Sequence, residues 1–168
     1  MKRVHIVGRK NSGKTTLIVD LVRQLRASGL RVGTIKHTHH RHELDVPGKD
    51  SHRHREAGAE TVAILSPALT AVYFDNDGDR GPAGYATIDH AFADCDIVLV
   101  EGDLSASAPQ VEVWRKECVE PPYASERAAI SAVVTDDPAP GIAHVWPRSD
   151  VPALAKRLLE LVRASGAP

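Results

Sequence analysis

Gly8-Arg9-Lys10-Asn11-Ser12-Gly13-Lys14-Thr15 has the spacing G-x-x-x-x-G-K-[ST]. It stands between an apolar run at 4–7 and a stretch that puts Leu17, Ile18, Leu21, Val22 and Leu25 on one helical face. Strand, glycine loop and helix in that order let a backbone cradle the phosphates of a nucleoside triphosphate. Gly8 and Gly13 allow the chain to turn and bring N–H groups close to phosphate oxygens. Those donors lie at the positive end of the helix dipole, which favours an anion. Lys14 is expected to reach the β- and γ-phosphates and the Thr15 hydroxyl to ligate Mg²⁺, with Asn11, Ser12 and Thr16 also nucleotide-binding. An ordinary glycine turn beside a lysine is the weaker reading, because the flanking strand and helix are both intact.

Outward from this loop, the first helix is predicted over 14–28, with Gly29 as its C′ residue, and a second strand over 30–35. Strand, helix and strand make a βαβ unit, so the two strands should run parallel in a right-handed crossover. Residues 36–55 are polar and rich in His, Asp and Gly, and a connection of that length usually carries function. A short helix is expected over 51–57. Two apolar runs at 61–65 and 69–74 flank Ser66-Pro67 and predict a hairpin or sheet edge. Residues 75–84 read as a solvated, turn-rich insert. Ile88 and Phe92 suggest a helix leading to Cys95.

Residues 97–100 form a continuous apolar strand, as in the buried middle of a parallel sheet. Residues 111–114 alternate and predict a more exposed strand, while 130–134 and 143–146 predict two more. A C-terminal helix follows, with Val151, Leu154, Leu158, Leu161 and Val162 at helical spacing and Asp150 near its start as a cap or first-turn acid. The fold class is therefore α/β: a P-loop nucleotide-binding domain with a mostly parallel central sheet flanked by helices. It occupies 1–168 as one domain, with a small hairpin or insert over 66–84.

The chain has 168 residues, 42% hydrophobic and 26% charged, with a net charge of -1. That composition suits one core-bearing domain and supplies no basic footprint for nucleic acid. No run approaches the roughly 18 apolar residues of a membrane span, and polar residues at 10–16 interrupt any secretory h-region. Cys95 and Cys118 form no C-x-x-C pair and read as reduced thiols. A cytoplasmic location is the expectation.

Mg²⁺ chemistry on a triphosphate needs carboxylates at the ends of neighbouring parallel strands. Glu101 follows the apolar run at 97–100 and precedes Gly102, the place of a metal-binding or water-positioning acid. Asp45, in Asp45-Val46-Pro47-Gly48-Lys49-Asp50, is a second candidate for Mg²⁺ or attacking water. Gly48 would let an N–H approach the γ-phosphate, although a solvated Pro-Gly turn is an equal reading. Lys36 and His37, at the end of the second strand, suit anionic phosphates. His37, His39, His40 and His42 crowd one stretch, with His52 and His54 beyond. They raise a transition-metal site as an alternative. The N-K-x-D signature of many GTPases is absent. Thr135-Asp136 ends a buried strand where a base would lie, and the Asp136 carboxylate can accept guanine N1–H and the 2-amino group; a helix-capping or turn aspartate is an equal reading, and Asp137 is the register alternative.

G-R-K-N-S-G-K-T-T-L, I-K-H-T-H-H, D-V-P-G-K-D-S, A-G-A and V-L-V-E-G together closely resemble the MobB family, molybdopterin-guanine dinucleotide biosynthesis protein B. The resemblance is dense over 3–65 and good over 96–102, while 75–84 and 116–127 carry no family motif. It implies a GTP-binding, weakly hydrolysing, usually dimeric accessory protein of molybdenum cofactor synthesis. Such a protein assists the MobA-type guanylyltransferase that joins GMP to molybdopterin, with molybdopterin a possible further contact. The same resemblance implies the phosphate-loop role for 8–16, the acidic strand-end role for Glu101, and ligand-facing roles for Lys36, His37 and 45–50. Arg9 or Lys10 would assist the phosphates from this or a second subunit. Two other classes compete. A small-molecule kinase would use Arg53, Arg55 and Arg80 as a basic lid, and a metallochaperone GTPase would use the histidine loop.

Overall fold

The computed structural model describes residues 1–38, 40, 43–74 and 82–166. The elements in chain order are β1 Arg3–Val7, α1 Lys14–Ala27, β2 Val32–Lys36, α2 Asp50–Glu56, β3 Thr61–Leu65, β4 Thr70–Phe74, α3 Pro82–Ile88, β5 Ile97–Glu101, β6 Gln110–Val113, β7 Ile130–Val134, β8 Val145–Trp146 and α4 Val151–Ala164. They fall into two compact units, Met1–Thr38 with Gly81–Pro168, and His39–Arg80.

The first unit is built on a six-stranded sheet in the order β2-β5-β1-β6-β7-β8, and every neighbouring pair is parallel. β1 and β2 are parallel as expected, but β5 lies between them. On one face, Leu17, Ile18, Leu21 and Leu25 of α1 and Leu154, Leu158 and Val162 of α4 pack on Val4, Ile6, Ile97, Leu99, Val111 and Val113. The α1 stripe recurs at three- and four-residue intervals, so one helix face meets the sheet. Gly29 ends the helix with φ 84: Gly29 N–H donates to Arg26 O, and Leu30 N–H to Leu25 O. These are the two bonds of a Schellman closure. Arg31 N–H donates to Asp96 Oδ2 at 2.7 Å. With Leu30 committed to the helix end and Arg31 to that side chain, β2 begins at Val32 rather than Leu30.

The strand expected to be exposed at 111–114 forms over 110–113 and is buried along that whole length, between β1 and β7. Its alternation is real, but both faces are covered. Glu112 is 0% exposed because its carboxylate accepts Tyr123 N–H and Ala124 N–H, each at 2.9 Å. Gln110 donates to Ala106 O at 2.7 Å. A polar side chain can be buried once its partners are supplied.

On the opposite sheet face Val98 and Val100 pack with Tyr85 of α3, and the fully buried His5 of β1 points the same way. His5 Nδ1 lies 3.2 Å from Gly102 O; a carbonyl only accepts, so the ring donates from Nδ1 and is neutral at Nε2. Burial pushes the His5 imidazole below its ordinary value. A depressed imidazole stabilises the fold above the unfolded value near 6.5 and loses that contribution as pH falls, since only the unfolded chain then takes the proton. The melting temperature is expected to hold between pH 8 and 7 and to fall from about 6.5 toward 5. His5→Gln should flatten that slope in pH-resolved thermal melts. An equal slope in the variant would place the titration elsewhere.

Of the insert expected over 75–84, residues 82–84 belong to α3 and the remainder lies outside the described residues. A 3₁₀ turn at Asp89–Phe92 follows. Asp150 caps α4, accepting Ala153 N–H at 3.1 Å.

In the second unit β3 and β4 pair antiparallel, Thr61 opposite Phe74 and Leu65 opposite Thr70. Ser66 closes their turn, its N–H donating to Leu69 O and its hydroxyl accepting Leu69 N–H. The hairpin therefore begins at Thr61, ahead of 66. Arg55 holds both carboxylate oxygens of Glu43, at 2.8 and 2.7 Å.

Candidate functional site

The loop between β1 and α1 runs along the C-terminal edge of the sheet. Its first glycine is required: a Cβ on Gly8 would stand 2.4 Å from the Val113 carbonyl oxygen, at a backbone φ of 137. Ser12 N–H donates to Arg9 O to tighten the turn, and Asn11 takes φ 63. Gly13 precedes α1 with no side-chain cap, and the first turn holds no acid. The helix thus offers its leading N–H groups without a protein acceptor supplied by a cap. The Ser12 hydroxyl is buried and has no partner. An uncapped helix start, a buried unpaired donor and a backbone too close for any Cβ fit an anion seated in the loop.

Lys14 Nζ arches over this loop, donating to Gly8 O at 2.9 Å and Arg9 O at 2.6 Å. Burial lowers its ammonium pKa, and the charge of Lys36 adds to the effect. Thr15 Oγ1 donates to Glu101, 2.9 and 3.1 Å from the two carboxylate oxygens. A hydroxyl and a carboxylate at adjoining strand and helix ends are hard oxygen donors, which fits Mg²⁺. Lys36 pairs in register with Glu101 across β2 and β5, and His37 N–H donates to Glu101 O at 2.9 Å. The structure therefore gathers Thr15, Glu101, Lys36 and His37 at one edge. A groove of about 430 Å³ opens beside them, with Val19, Val22 and Ile35 along its apolar side.

Farther along the same edge, past β7, Thr135 is buried, donates its N–H to Trp146 O at 3.0 Å, and accepts Asp137 N–H on its hydroxyl. Asp136 is exposed, and its Oδ1 accepts Ser149 N–H at 3.0 Å and the Ser149 hydroxyl at 2.9 Å. These bonds hold its carboxyl below the usual range. Asp137 Oδ2 accepts Lys116 N–H at 3.0 Å, so that carboxylate ties β7 to the chain leaving β6.

Asp45 and Gly48 belong to the second unit. Asp45 is buried there, Val46 N–H donates to its Oδ1 at 2.7 Å, and the Ser51 hydroxyl, with that N–H, holds its carboxyl low. Gly48 has φ 80. His52 pairs with Glu43 and Glu56, at 3.6 and 3.3 Å. Of the histidine cluster, His37 stacks on Tyr85 with ring centroids 6.4 Å apart, while His39 and His42 lie outside the described residues, as does Arg80. Among the described residues no group of three His, Cys, Asp or Glu is placed to hold a metal ion.

Two features escaped the sequence reading. The segment at 116–127 is bound to the glycine loop: Arg9 pairs with Glu120, donates to Pro121 O at 3.3 Å, and lies 4.3 Å over the Tyr123 ring. Glu112 holds the far end of that segment, and an acid inside an apolar strand was the one available signal. Two residues after Glu101, Asp103 accepts Tyr85 OH at 2.7 Å and the Ser105 hydroxyl at 2.6 Å. Its φ of 64 is rare for a residue with a side chain.

The family model described as Molybdopterin guanine dinucleotide synthesis protein B matches residues 3–136. A molybdopterin-guanine dinucleotide biosynthesis adapter protein of Haemophilus influenzae is 35% identical over 118 residues, 69% of this chain and 65% of that protein. The protein of the same description from Escherichia coli is 34% identical over 105 residues, 62% of this chain and 60% of its own length. The matched stretch thus spans less than two thirds of either curated relative. Among solved structures, a MobB protein homolog from Bacillus stearothermophilus superposes with a TM-score of 0.69 at 28% identity, covering 98% of this chain and 99% of that one. A molybdopterin-guanine biosynthesis protein B (mobB) gives 0.71 at 30% identity, covering 96% and 99%.

Proposed function

This chain belongs to the MobB family, and on that premise we propose that it is a GTP-binding, weakly GTP-hydrolysing adapter in molybdopterin guanine dinucleotide biosynthesis. The observation that carries the reading is the uncapped start of α1 beneath the Gly8–Gly13 turn, with Lys14 above it and Thr15 bonded to Glu101. Gly8, Asn11, Ser12, Gly13 and Thr16 would present backbone and hydroxyl donors to the phosphates, and Lys14 would span the β- and γ-phosphates. Thr15 and Glu101 would hold Mg²⁺, which when bound neutralises charge building on the phosphate oxygens. Lys36 and His37, beside Glu101, supply further donors on that side.

Glu101 is the residue assigned to positioning water; Asp45 and Gly48, in the second unit, are proposed as ligand-facing residues. Slow hydrolysis fits the engagement of Arg9 by Glu120 and Tyr123, because a cation so held does not reach developing charge. Thr135 and Asp136 are assigned to the guanine base.

The partner proposed is a MobA-type guanylyltransferase, with molybdopterin as a further ligand. A homodimer is also proposed, supported by the outward apolar side chains of the hairpin, Leu65 at 80% and Leu69 at 78% exposure. No helix among the described residues is long and apolar enough to cross a membrane; a cytoplasmic site of action is part of the proposal.

One observation favours a second reading. The groove beside Thr15 and Glu101 is where a phosphoryl acceptor of a small-molecule kinase would sit. Calorimetric titration with GTP and ATP in Mg²⁺, followed by product analysis, separates the two. The adapter reading expects GTP to bind about tenfold or more tightly than ATP, with slow orthophosphate release. Equal or stronger ATP binding, or a phosphorylated small-molecule product, would count against it.

A further inference from the structure

β5 with Glu101 lies on one side of β1, while β6, β7 and β8 lie on the other. With the γ-phosphate directed toward Glu101, the nucleoside leaves the loop in the opposite direction, across the end of β6 toward β7 and β8. Neighbouring strands stand about 4.8 Å apart, so the β7 exit lies roughly 10 Å along the sheet from the β1 exit. Two loops meet there. Thr135-Asp136 leaves β7, and Pro147-Arg148-Ser149-Asp150 joins β8 to α4.

The second loop is pinned on both sides of Ser149. Arg148 donates to Asp20 Oδ2 of α1 at 2.6 Å, and Asp150 caps α4. Between these anchors Ser149 donates twice to one oxygen of Asp136, from its N–H and from its hydroxyl. A carboxylate offers about four lone-pair positions, so two are fixed by Ser149. The Arg148 backbone N–H also bears on this carboxyl, but Asp136 remains exposed, so part of it is open to a ligand.

A free aspartate would rotate about χ2 and lose entropy on meeting a base; one gripped on Oδ1 presents its plane in advance. Resting on the guanine-nucleotide reading above, we propose that Ser149 is a positioning residue for base selection, orienting the Asp136 carboxylate toward the two adjacent N–H donors of guanine. Adenine presents an acceptor at the matching ring nitrogen and leaves that carboxylate unpaired, so the orientation bears on guanine-over-adenine choice rather than on phosphate affinity.

The test measures affinities of wild type, Ser149→Ala, Ser149→Thr and Asp136→Asn for Mg²⁺ with GTP, ATP, xanthosine triphosphate and inorganic tripolyphosphate. Ser149→Ala is expected to weaken GTP about tenfold and to reduce the GTP-to-ATP ratio by a similar factor. Tripolyphosphate affinity should not change, and Ser149→Thr, which keeps the hydroxyl, should recover most of the loss. Asp136→Asn should lose GTP and gain xanthosine triphosphate, whose 2-oxo group accepts the new amide N–H; Ser149→Ala should show no such gain. A wild-type GTP-to-ATP ratio in Ser149→Ala overturns the assignment of Ser149, and so does an equal loss of tripolyphosphate. Guanine preference surviving in Asp136→Asn moves base reading off this pair of loops. Failure of the wild-type protein to bind tripolyphosphate would instead overturn the phosphate-loop reading, and the inference with it.

Discussion

Lys14→Ala is expected to weaken Mg²⁺–GTP binding at least about a hundredfold, the loss of one strong charge-assisted contact of roughly 3 kcal/mol. The fold should survive. Lys14 contributes two hydrogen bonds to the loop, to Gly8 O and Arg9 O. Against these stands a partly buried cation whose pKa is lowered by desolvation. Removing bonds and burden together leaves a small net change in stability. Calorimetry for binding and a thermal melt for the fold check both halves. Wild-type affinity in the variant would mean that the ammonium does not meet the phosphates.

Gly8→Ala is expected to act on structure and binding at once. The added methyl would meet Val113 O at 2.4 Å and Ser12 Oγ at 2.9 Å, at a φ that residues with side chains rarely adopt. Val113 lies on β6, fully inside the sheet, and a backbone carbonyl there cannot swing aside. The loop must lift instead, carrying its N–H groups away from the positions set by α1. A loss of about 2–4 kcal/mol of stability is expected, together with GTP affinity too weak to measure at micromolar protein. Denaturant melts and the same titration report the two effects. A variant of unchanged stability would show that the loop and β6 are not in the contact described.

The parts legible in the residues are those whose signals are local. The loop spacing, the α1 stripe closed by Gly29, the apolar run before Glu101 and the hairpin about Ser66 each rest on residues within a few positions of one another. The α/β class and the parallel sheet read from them are the observed architecture. The order of the strands was not legible, because β5 enters between β1 and β2 from about 60 residues away, and periodicity carries no information about neighbours. Burial of β6 failed for a related reason. Glu112 looks like a solvent-facing residue until Tyr123 and Ala124, eleven and twelve positions on, offer it their N–H groups.

The site divides along the same line. Thr15 and Glu101 were each readable from their own surroundings, and the structure adds their hydrogen bond across 86 positions. Asp136 was readable as a strand-end acid, whereas Ser149, its partner, lies in a loop with no motif. Arg9 was visible beside the phosphates, but its capture by Glu120 and Tyr123 depends on a segment with no pattern of its own.

The most direct measurement is a structure determined with a non-hydrolysable GTP analogue and Mg²⁺. The triphosphate is predicted to lie within the Gly8–Thr15 turn, with the metal on the Thr15 hydroxyl near Glu101 and the base toward Asp136. Nucleotide density at another place on the chain, with that turn left bare at saturating ligand, would contradict the account.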